Sequence, residues 1–271
     1  MENKKIITVQ DISCYGQCSI TVALPILSAF GFETAILPSA ILSTHTSGFK
    51  RFVVHDLSPQ MPEFINHWME EGIKYDCLYT GYLGSTEHFQ YVKRIKNELM
   101  NQNPLTVVDP VMGDNGKLYP VFNLDYVEEM KKLLKEADII LPNITEASFL
   151  TGLPFKTQYD KDYILELING LKKLTDATVI LTGVSYQEDK TGVVVFKKDY
   201  RYYEHDKINK SYHGTGDVYA SVFVGNYLKN NNAFESAKIA ADFVCDAIKN
   251  TIDDEKHTYG VKFEPILKKY I

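Results

Sequence analysis

The stretch Thr191-Gly-Val-Val-Val-Phe-Lys-Lys-Asp-Tyr-Arg-Tyr-Tyr-Glu204 contains two β-type runs separated only by a short polar turn. Elsewhere, short apolar runs alternate with longer amphipathic stretches, which is typical of βα units and of a mostly parallel sheet covered on both faces. A TIM barrel would share that alternation. Two adjacent strands without a helix between them favour an open sheet instead.

Seven short runs are predicted as strands, and the amphipathic stretches between them as helices. The helical stretches cover 60–71, 87–101, 124–136 and 160–174. Between Ala240 and Ile248, apolar residues recur at the spacing of one helix face and predict a further helix. The predicted strands cover 5–9, 34–38, 76–80, 105–108, 138–141, 178–181 and 191–196.

Composition restricts the classes of function. The 271 residues are 45% hydrophobic and contain no repeat or linker, which predicts a single domain over 1–271. Because 29 Lys and Arg stand against 35 Asp and Glu, a net charge of -6, we expect no nucleic-acid partner. The apolar run at 6–9 is too short for a signal peptide, and no run approaches the ~20 residues that span a bilayer. We therefore expect a cytoplasmic protein without membrane contact.

Polar residues follow most of the predicted strands. In an open α/β sheet, ligands bind outside the carboxyl ends of the strands, so these residues are candidates for a site. Any one of them could simply begin a loop, but together they place carboxylates, an amide, a hydroxyl and glycines at one edge. They are Gln10-Asp11, Thr80-Gly81-Tyr82, Asp109-Pro110, Pro142-Asn143 with Glu146, and Thr182-Gly183.

The strongest single segment is His213-Gly-Thr-Gly-Asp-Val-Tyr-Ala-Ser221. Its glycines let backbone N–H groups approach an anion, and the N-terminus of the predicted helix adds about half a positive charge. Asp217 could be a helix cap or a catalyst, and the segment alone does not decide. The GxxxxGK[ST] and GxGxxG motifs of other nucleotide sites are absent from the sequence.

A resemblance to a known family rests on three motifs in their expected order. Asp109-Pro-Val-Met-Gly113, Pro142-Asn-Ile-Thr-Glu146 and Gly214-Thr-Gly-Asp217 resemble the motif set of the ribokinase-like vitamin kinases. Within that group, the chain is more similar to pyridoxal and pyridoxamine (vitamin B6) kinases than to hydroxymethylpyrimidine kinases. The residues that carry this preference are Thr80-Gly-Tyr82, Ser43-Thr-His-Thr46, and Asp114 followed by Tyr119.

The resemblance implies a three-layer α/β/α sandwich with a mostly parallel central sheet, usually assembled as a homodimer. It also implies transfer of the γ-phosphate of ATP to the 5'-hydroxymethyl group of pyridoxal, pyridoxamine or pyridoxine. Asp217 is then the candidate base, and the N–H groups of Gly214, Thr215 and Gly216 are the candidate anion hole.

The implied cofactor is Mg²⁺ bound with ATP, and a monovalent cation such as K⁺ stays open. The candidate metal ligands are Asp109, Asp114 and Glu146, which would act directly or through water. The nucleotide phosphates are expected to meet Asp109, Asn143, Glu146, Thr182 and Gly183.

On the vitamin side, the resemblance places Asp11, Thr46 and Tyr82 around the ring, with His45 at most in contact. Many pyridoxal kinases carry a serine where Asp11 stands, so the preferred vitamer is open. The 110–122 segment is predicted either as a mobile cover over ATP or as a plain surface turn.

Two other functions remain open from the sequence. A hydroxymethylpyrimidine (phosphate) kinase of thiamine biosynthesis would share the fold and the base. A protein that only binds a nucleotide or vitamin would share the scaffold, although Asp217 next to intact glycines argues against it.

Overall fold

The strands of the protein were located in a computed structural model that describes residues 4–271; Met1, Glu2 and Asn3 lie outside that description. Within the described residues, nine strands form one sheet and two form a small hairpin. Their bounds are β1 (Lys5–Ser13), β2 (Glu33–Leu42), β3 (Val54–Asp56), β4 (Tyr75–Thr80), β5 (Met100–Val108), β6 (Gly113–Asp114), β7 (Lys117–Leu118), β8 (Ile139–Ile140), β9 (Thr178–Val184), β10 (Lys190–Phe196) and β11 (Tyr200–Asp206).

The large sheet is open and mostly parallel, with the order β11-β10-β9-β8-β5-β4-β1-β2-β3. The strands from β2 to β9 in this order pair in parallel, and antiparallel pairs occur at the two edges. At one edge β10 and β11 form the predicted neighbouring strands, with Val194 opposite Tyr202. The prediction of an open sheet from the 191–204 stretch is therefore confirmed.

Helices cover both faces of this sheet, as predicted. Side chains alternate between the faces along a strand, so that Ile6 joins the apolar cluster under one helical layer and Ile7 the cluster under the other. The first layer contains α1 (Ile20–Ala29), α7 (Thr215–Asn230) and α8 (Ala233–Thr251), and the second contains α2 (Met61–Glu70), α3 (Glu87–Glu98), α4 (Leu124–Leu134), α5 (Ile144–Thr151) and α6 (Lys161–Leu174).

The structure corrects one helix boundary and adds two helices, α1 and α5. The helix predicted over 87–101 ends at Glu98, because Met100 already pairs with Tyr75 in the sheet. Helices α1, α5 and α7 were not predicted from periodicity. Each is buried around much of its circumference, which removes the amphipathic pattern that marks a surface helix. No helix between residues 4 and 271 is long and apolar enough to cross a membrane.

Candidate active site

The predicted site residues meet where the parallel strands end. Backbone hydrogen bonds align the loops that leave neighbouring strands: Asp109 N–H donates to Thr80 O at 3.0 Å, and Thr182 N–H donates to Pro142 O at 3.0 Å. The N-termini of α5 and α7 lie at the same edge. The carboxyl-end argument thus predicted correctly that these residues gather at one edge of the sheet.

Asp217 is the third residue of α7 and does not cap it. The cap position belongs to Gly214, and no side chain caps this helix end. The backbone N–H of Ser19 lies near the Asp217 carboxylate and favours its charged form, which lowers its pKa. Burial, with the charge of Asp11, raises the pKa of Asp217 to about 7. The helix-cap alternative is therefore wrong, and the carboxyl group is suited to exchange protons near neutral pH.

The two positions before Asp217 that carry glycine do so for different physical reasons. Gly214 has φ 77°, and a Cβ there would overlap the carbonyl oxygen of Gln17, so only glycine fits. A Cβ on Gly216 would meet no protein atom of residues 4–271 within 4 Å. The first N–H groups of α7 have no partner within the helix. Gly216 is exposed, so a ligand can approach the backbone at this helix end, as an anion hole requires.

Asp11 lies inside β1 with 4% of its surface exposed. Its carboxylate accepts a hydrogen bond from Ser13 Oγ at 3.2 Å, and the Ser19 side chain lies nearby. Burial raises its pKa. Asp11 does not cap α1, which begins only at Ile20. Ser19, at φ 53°, lies near both aspartates and was missed by sequence analysis.

The other residues predicted to contact the vitamin differ in their burial and in their hydrogen-bond partners. Tyr82 is close enough to Asp11 that burial and this negative charge raise its pKa to about 12. His45 is buried, and both ring nitrogens have protein partners: Nδ1 accepts from Ser47 N–H and Nε2 donates to Tyr259 O, each at 3.3 Å. Because both ring nitrogens are occupied, His45 can contact the vitamin but is not a candidate for proton transfer. Thr46 is exposed on the adjacent loop.

Glu146 ties two loops together at the nucleotide end. It is buried, and its Oε1 accepts from Met112 N–H at 3.0 Å while Oε2 accepts from Asn143 N–H at 2.9 Å. Asn143 in turn caps α5 by accepting from Glu146 N–H at 2.9 Å, which completes a capping box. Burial raises the pKa of Glu146 to about 7, against the opposing effect of these N–H donors.

The electrostatics of the two buried carboxylates fit a cation that arrives with its phosphates. Asp109 is 7% exposed, and burial, with the charges of Glu146 and Asp217, raises its pKa well above the usual range. Within residues 4–271, no group of three or more His, Cys, Asp or Glu side chains forms a preformed metal site. Mg²⁺ commonly takes one or two carboxylates and completes its shell with waters and phosphates. Asp109 and Glu146 are suited to that role.

Asp114 lies in a hairpin outside this carboxylate pair. It is exposed, and its side chain accepts from the backbone N–H of Asn115 at 2.8 Å. Asn115 and Gly116 both have positive φ, which is typical of a two-residue type I′ turn between β6 and β7. Gly116 N–H donates to Thr145 Oγ1 at 2.9 Å, so the hairpin is fastened to α5. A mobile 110–122 cover stays a prediction.

The remaining nucleotide-side residues lie at the same edge. Thr182 and Gly183 end the regular part of β9, and Gly183 is exposed with φ 71°. Tyr119, which sequence analysis used only as a family marker, is half-buried near the carboxylates. Burial is the main reason that its pKa is raised. The negative charges nearby raise it further; they belong to Glu146, Asp114, Asp217 and Asp109. The sequence offers no local signal for this position.

Replacing Glu146 by Gln should raise the Mg²⁺ concentration that supports half-maximal turnover by about 10–100-fold. A glutamine can accept only one of the two N–H donors, and it loses the charge next to Asp109. The measurement is an Mg²⁺ titration of the initial rate, with Glu128→Gln on the exposed face of α4 as the control. An unchanged titration would show that Glu146 acts only in the capping box.

A sheet between two helical layers is shared with a solved kinase. The structure is similar to that of pyridoxal kinase from Lactobacillus plantarum, with a TM-score of 0.91, 31% identity, and coverage of 98% of this chain and 96% of that one. This places the protein in the class of ribokinase-like kinases. Residues 24–262 match the family model described as phosphomethylpyrimidine kinase. The chain belongs to this family of pyridoxal and phosphomethylpyrimidine kinases.

Two further relatives are described by one or the other of these two kinase names. A Bacteroides thetaiotaomicron protein, provisionally described as a phosphomethylpyrimidine kinase and crystallised with pyridoxal, is 34% identical with a TM-score of 0.92. That match covers 99% of this chain and 96% of that one. Pyridoxal kinase from Dictyostelium discoideum is 28% identical over 82% of this chain and 77% of its own length.

Proposed function

We propose that residues 1–271 act as one kinase domain that transfers the γ-phosphate of ATP to the 5'-hydroxymethyl group of a B6 vitamer. The observation that carries this proposal is a carboxyl group with a pKa of about 7 in the first turn of a helix whose N-terminus is open at Gly216. A base next to free N–H groups suits the transfer of an anionic group to an alcohol.

Phosphoryl transfer asks the protein mainly for positioning and charge stabilisation. Asp217 accepts the proton of the attacking hydroxymethyl group, and Ser19 N–H keeps its carboxylate in place. The N–H groups of Gly214, Thr215 and Gly216 hold the oxygens of the phosphoryl group. Mg²⁺ bound with ATP would neutralise phosphate charge, with Asp109 and Glu146 as the residues that would hold it.

The vitamin assignment is supported by the residues at the end of β1. Asp11 and Tyr82 offer a carboxylate and an aromatic phenol at one place, which suits a ring that carries a basic nitrogen and a hydroxyl group. The relative crystallised with pyridoxal also favours a B6 vitamer. Because the matching family model is that of phosphomethylpyrimidine kinase, hydroxymethylpyrimidine or its phosphate is the second candidate substrate.

The deciding experiment compares the substrates side by side. Purified protein with Mg²⁺-ATP is given pyridoxal, pyridoxamine, pyridoxine, hydroxymethylpyrimidine or its phosphate, and ADP and the phosphorylated product are quantified. We expect kcat/KM for at least one B6 vitamer to exceed that for both pyrimidines by about tenfold, or 1.4 kcal/mol. A preference for a pyrimidine would select the second candidate. Binding without turnover would contradict both.

Replacing Asp11 by Ser should weaken binding of the pyridinium form of the vitamer by roughly 1.5–3 kcal/mol, the value of a hydrogen bond to a charged group. An opposite charge nearby stabilises the protonated ring, whereas a hydroxyl can donate or accept and discriminates less. Asp11→Asn keeps the shape but also removes the charge. The measurement is Kd for pyridoxal and pyridoxamine as a function of pH. Parallel profiles in all three proteins would exclude a contact with the ring nitrogen.

A further inference from the structure

The connection between α5 and α6, residues 152–160, contacts two loops at the nucleotide end of the site. One is the β6–β7 hairpin: a Cβ on Gly116 would lie 2.6 Å from Phe155 Cδ1, so the aromatic ring packs directly on the hairpin backbone. The other is the turn at Gly183, whose carbonyl oxygen accepts a hydrogen bond from the Tyr159 hydroxyl at 3.3 Å. The connection therefore links the start of α6 to both loops.

Gly183 forms a β-bulge near the end of β9. Thr182 pairs with Val193 of β10 and Val184 pairs with Gly192, so Gly183 has no residue opposite it. Its φ is 71°, and a Cβ there would meet no described protein atom within 4 Å. Bulges re-aim the residues around them and are common next to active sites. The open side of this bulge can therefore receive a ligand.

Tyr159 holds the bulge with two hydrogen bonds to one hydroxyl group. The hydroxyl donates to Gly183 O at 3.3 Å and accepts from Ser185 N–H at 3.0 Å. A phenol offers one hydrogen and acceptor lone pairs, so both bonds form at once. The half-buried ring packs between other aromatic rings, with its centroid 5.6 Å from that of Tyr163 and 6.4 Å from that of Tyr186. This packing fixes the hydroxyl in place.

We propose that Tyr159 is a positioning residue for the nucleotide and acts through the bulge at Gly183. By bonding the backbone at Gly183 and Ser185, it keeps Gly183 and the preceding Thr182 in the orientation that meets the phosphates of ATP. A loop that is already ordered loses less conformational freedom when it binds a ligand. The role of Tyr159 rests on the proposed function, because that function makes ATP the ligand at Gly183.

The first test is the Kd of Mg²⁺-ATP, measured by calorimetry without a vitamer. We expect Tyr159→Phe to raise this Kd about 3–10-fold, the effect of one ordinary hydrogen bond. In turnover assays with both substrates saturating, kcat should change less than about twofold, because the lost interaction serves binding and not the transfer step.

The matched control is Tyr200→Phe. Tyr200 is also half-buried in this group of aromatic rings, but its hydroxyl bonds to the Tyr186 hydroxyl and not to the backbone of the bulge. Its removal should leave the Kd of Mg²⁺-ATP within about twofold of the wild-type value. An unchanged Kd in Tyr159→Phe, or an equal rise in both variants, would overturn the positioning role.

A double-mutant cycle with Gly183→Ala shows whether the effect passes through the bulge. Alanine is strained at φ 71°, so this substitution should itself disturb the bulge and weaken ATP binding. With the bulge already displaced, adding Tyr159→Phe should change the Kd by less than about twofold. The same rise in both backgrounds would contradict a route through Gly183.

A crystal structure of the wild type with a non-hydrolysable ATP analogue tests the proposal without any variant. We expect a phosphate oxygen within about 2.7–3.2 Å of Gly183 N or Thr182 Oγ1, and Tyr159 Oη on Gly183 O. Phosphates bound away from Gly183, or in direct contact with Tyr159, would overturn the proposal. Neither the Kd nor this structure needs turnover. ATP binding that depends on Tyr159 in a protein that phosphorylates no B6 vitamer would therefore count against the proposed function alone.

Discussion

Replacing Asp217 by Asn is expected to lower kcat by about 10²–10⁴-fold, the usual contribution of a general base. The amide has the shape of the carboxylate, and its oxygen can still lie near Ser19 N–H. It cannot take the proton of the attacking alcohol. ATP affinity and the fold should therefore change little, while the chemical step is lost.

The measurement is kcat together with the Kd of ATP, for this variant and for Asp125→Asn. Asp125 is a suitable control because it is also an acidic residue in the first turn of a helix, but it is exposed on α4. A variant of Asp217 that keeps more than about a third of the wild-type kcat would remove this residue from the role of base.

The raised pKa of Asp217 also predicts two pH dependences. The ionised form is the base, so the wild-type kcat/KM should fall as the pH drops through about 7. The pKa of Asp217 in the folded protein lies above the unfolded value of about 3.9. Between these two pH values the folded state therefore binds more protons than the unfolded state. The contribution of Asp217 to stability falls as the pH rises. Asp217→Asn should then unfold at pH 8 no more easily than wild type. A clearly lower Tm would contradict this.

Replacing Gly216 by Val is the second large effect that we expect, a loss of kcat of about 10²–10³-fold, similar to the removal of an anion-hole donor. The side chain would enter the space in front of the N–H groups of α7, where the phosphoryl group is proposed to lie. A Cβ at Gly216 meets no described protein atom within 4 Å, so the variant should fold normally.

The neighbouring glycine provides the contrast. Gly214→Ala should destabilise the fold, because φ 77° is strained for alanine and its Cβ would overlap Gln17 O. Circular dichroism melts and turnover, measured on both variants, separate steric exclusion of the ligand from loss of structure. If Gly216→Val turned over at the normal rate, the phosphoryl group would have to bind elsewhere.

Local sequence predicted the framework of this protein well. The alternation of short apolar runs with amphipathic stretches predicted the parallel sheet with helices on both faces, because hydrophobic periodicity records which side of an element is buried. The two adjacent runs at 191–204 predicted that this sheet is open. The polar residues after the strands predicted which residues gather at one edge. Glycines before Asp217 predicted an N–H-lined helix start.

What these residues do was decided only by tertiary structure. Helices α1, α5 and α7 lack a periodic signal because neighbours cover them on several sides. Ser19 lies near both Asp11 and Asp217, although the three residues come from different segments. The sequence left open whether Asp217 caps its helix, and only the structure excludes that role. Burial and the distances between side chains on separate elements set hydrogen bonds and pKa values, and both arise only when the sheet and helices pack together.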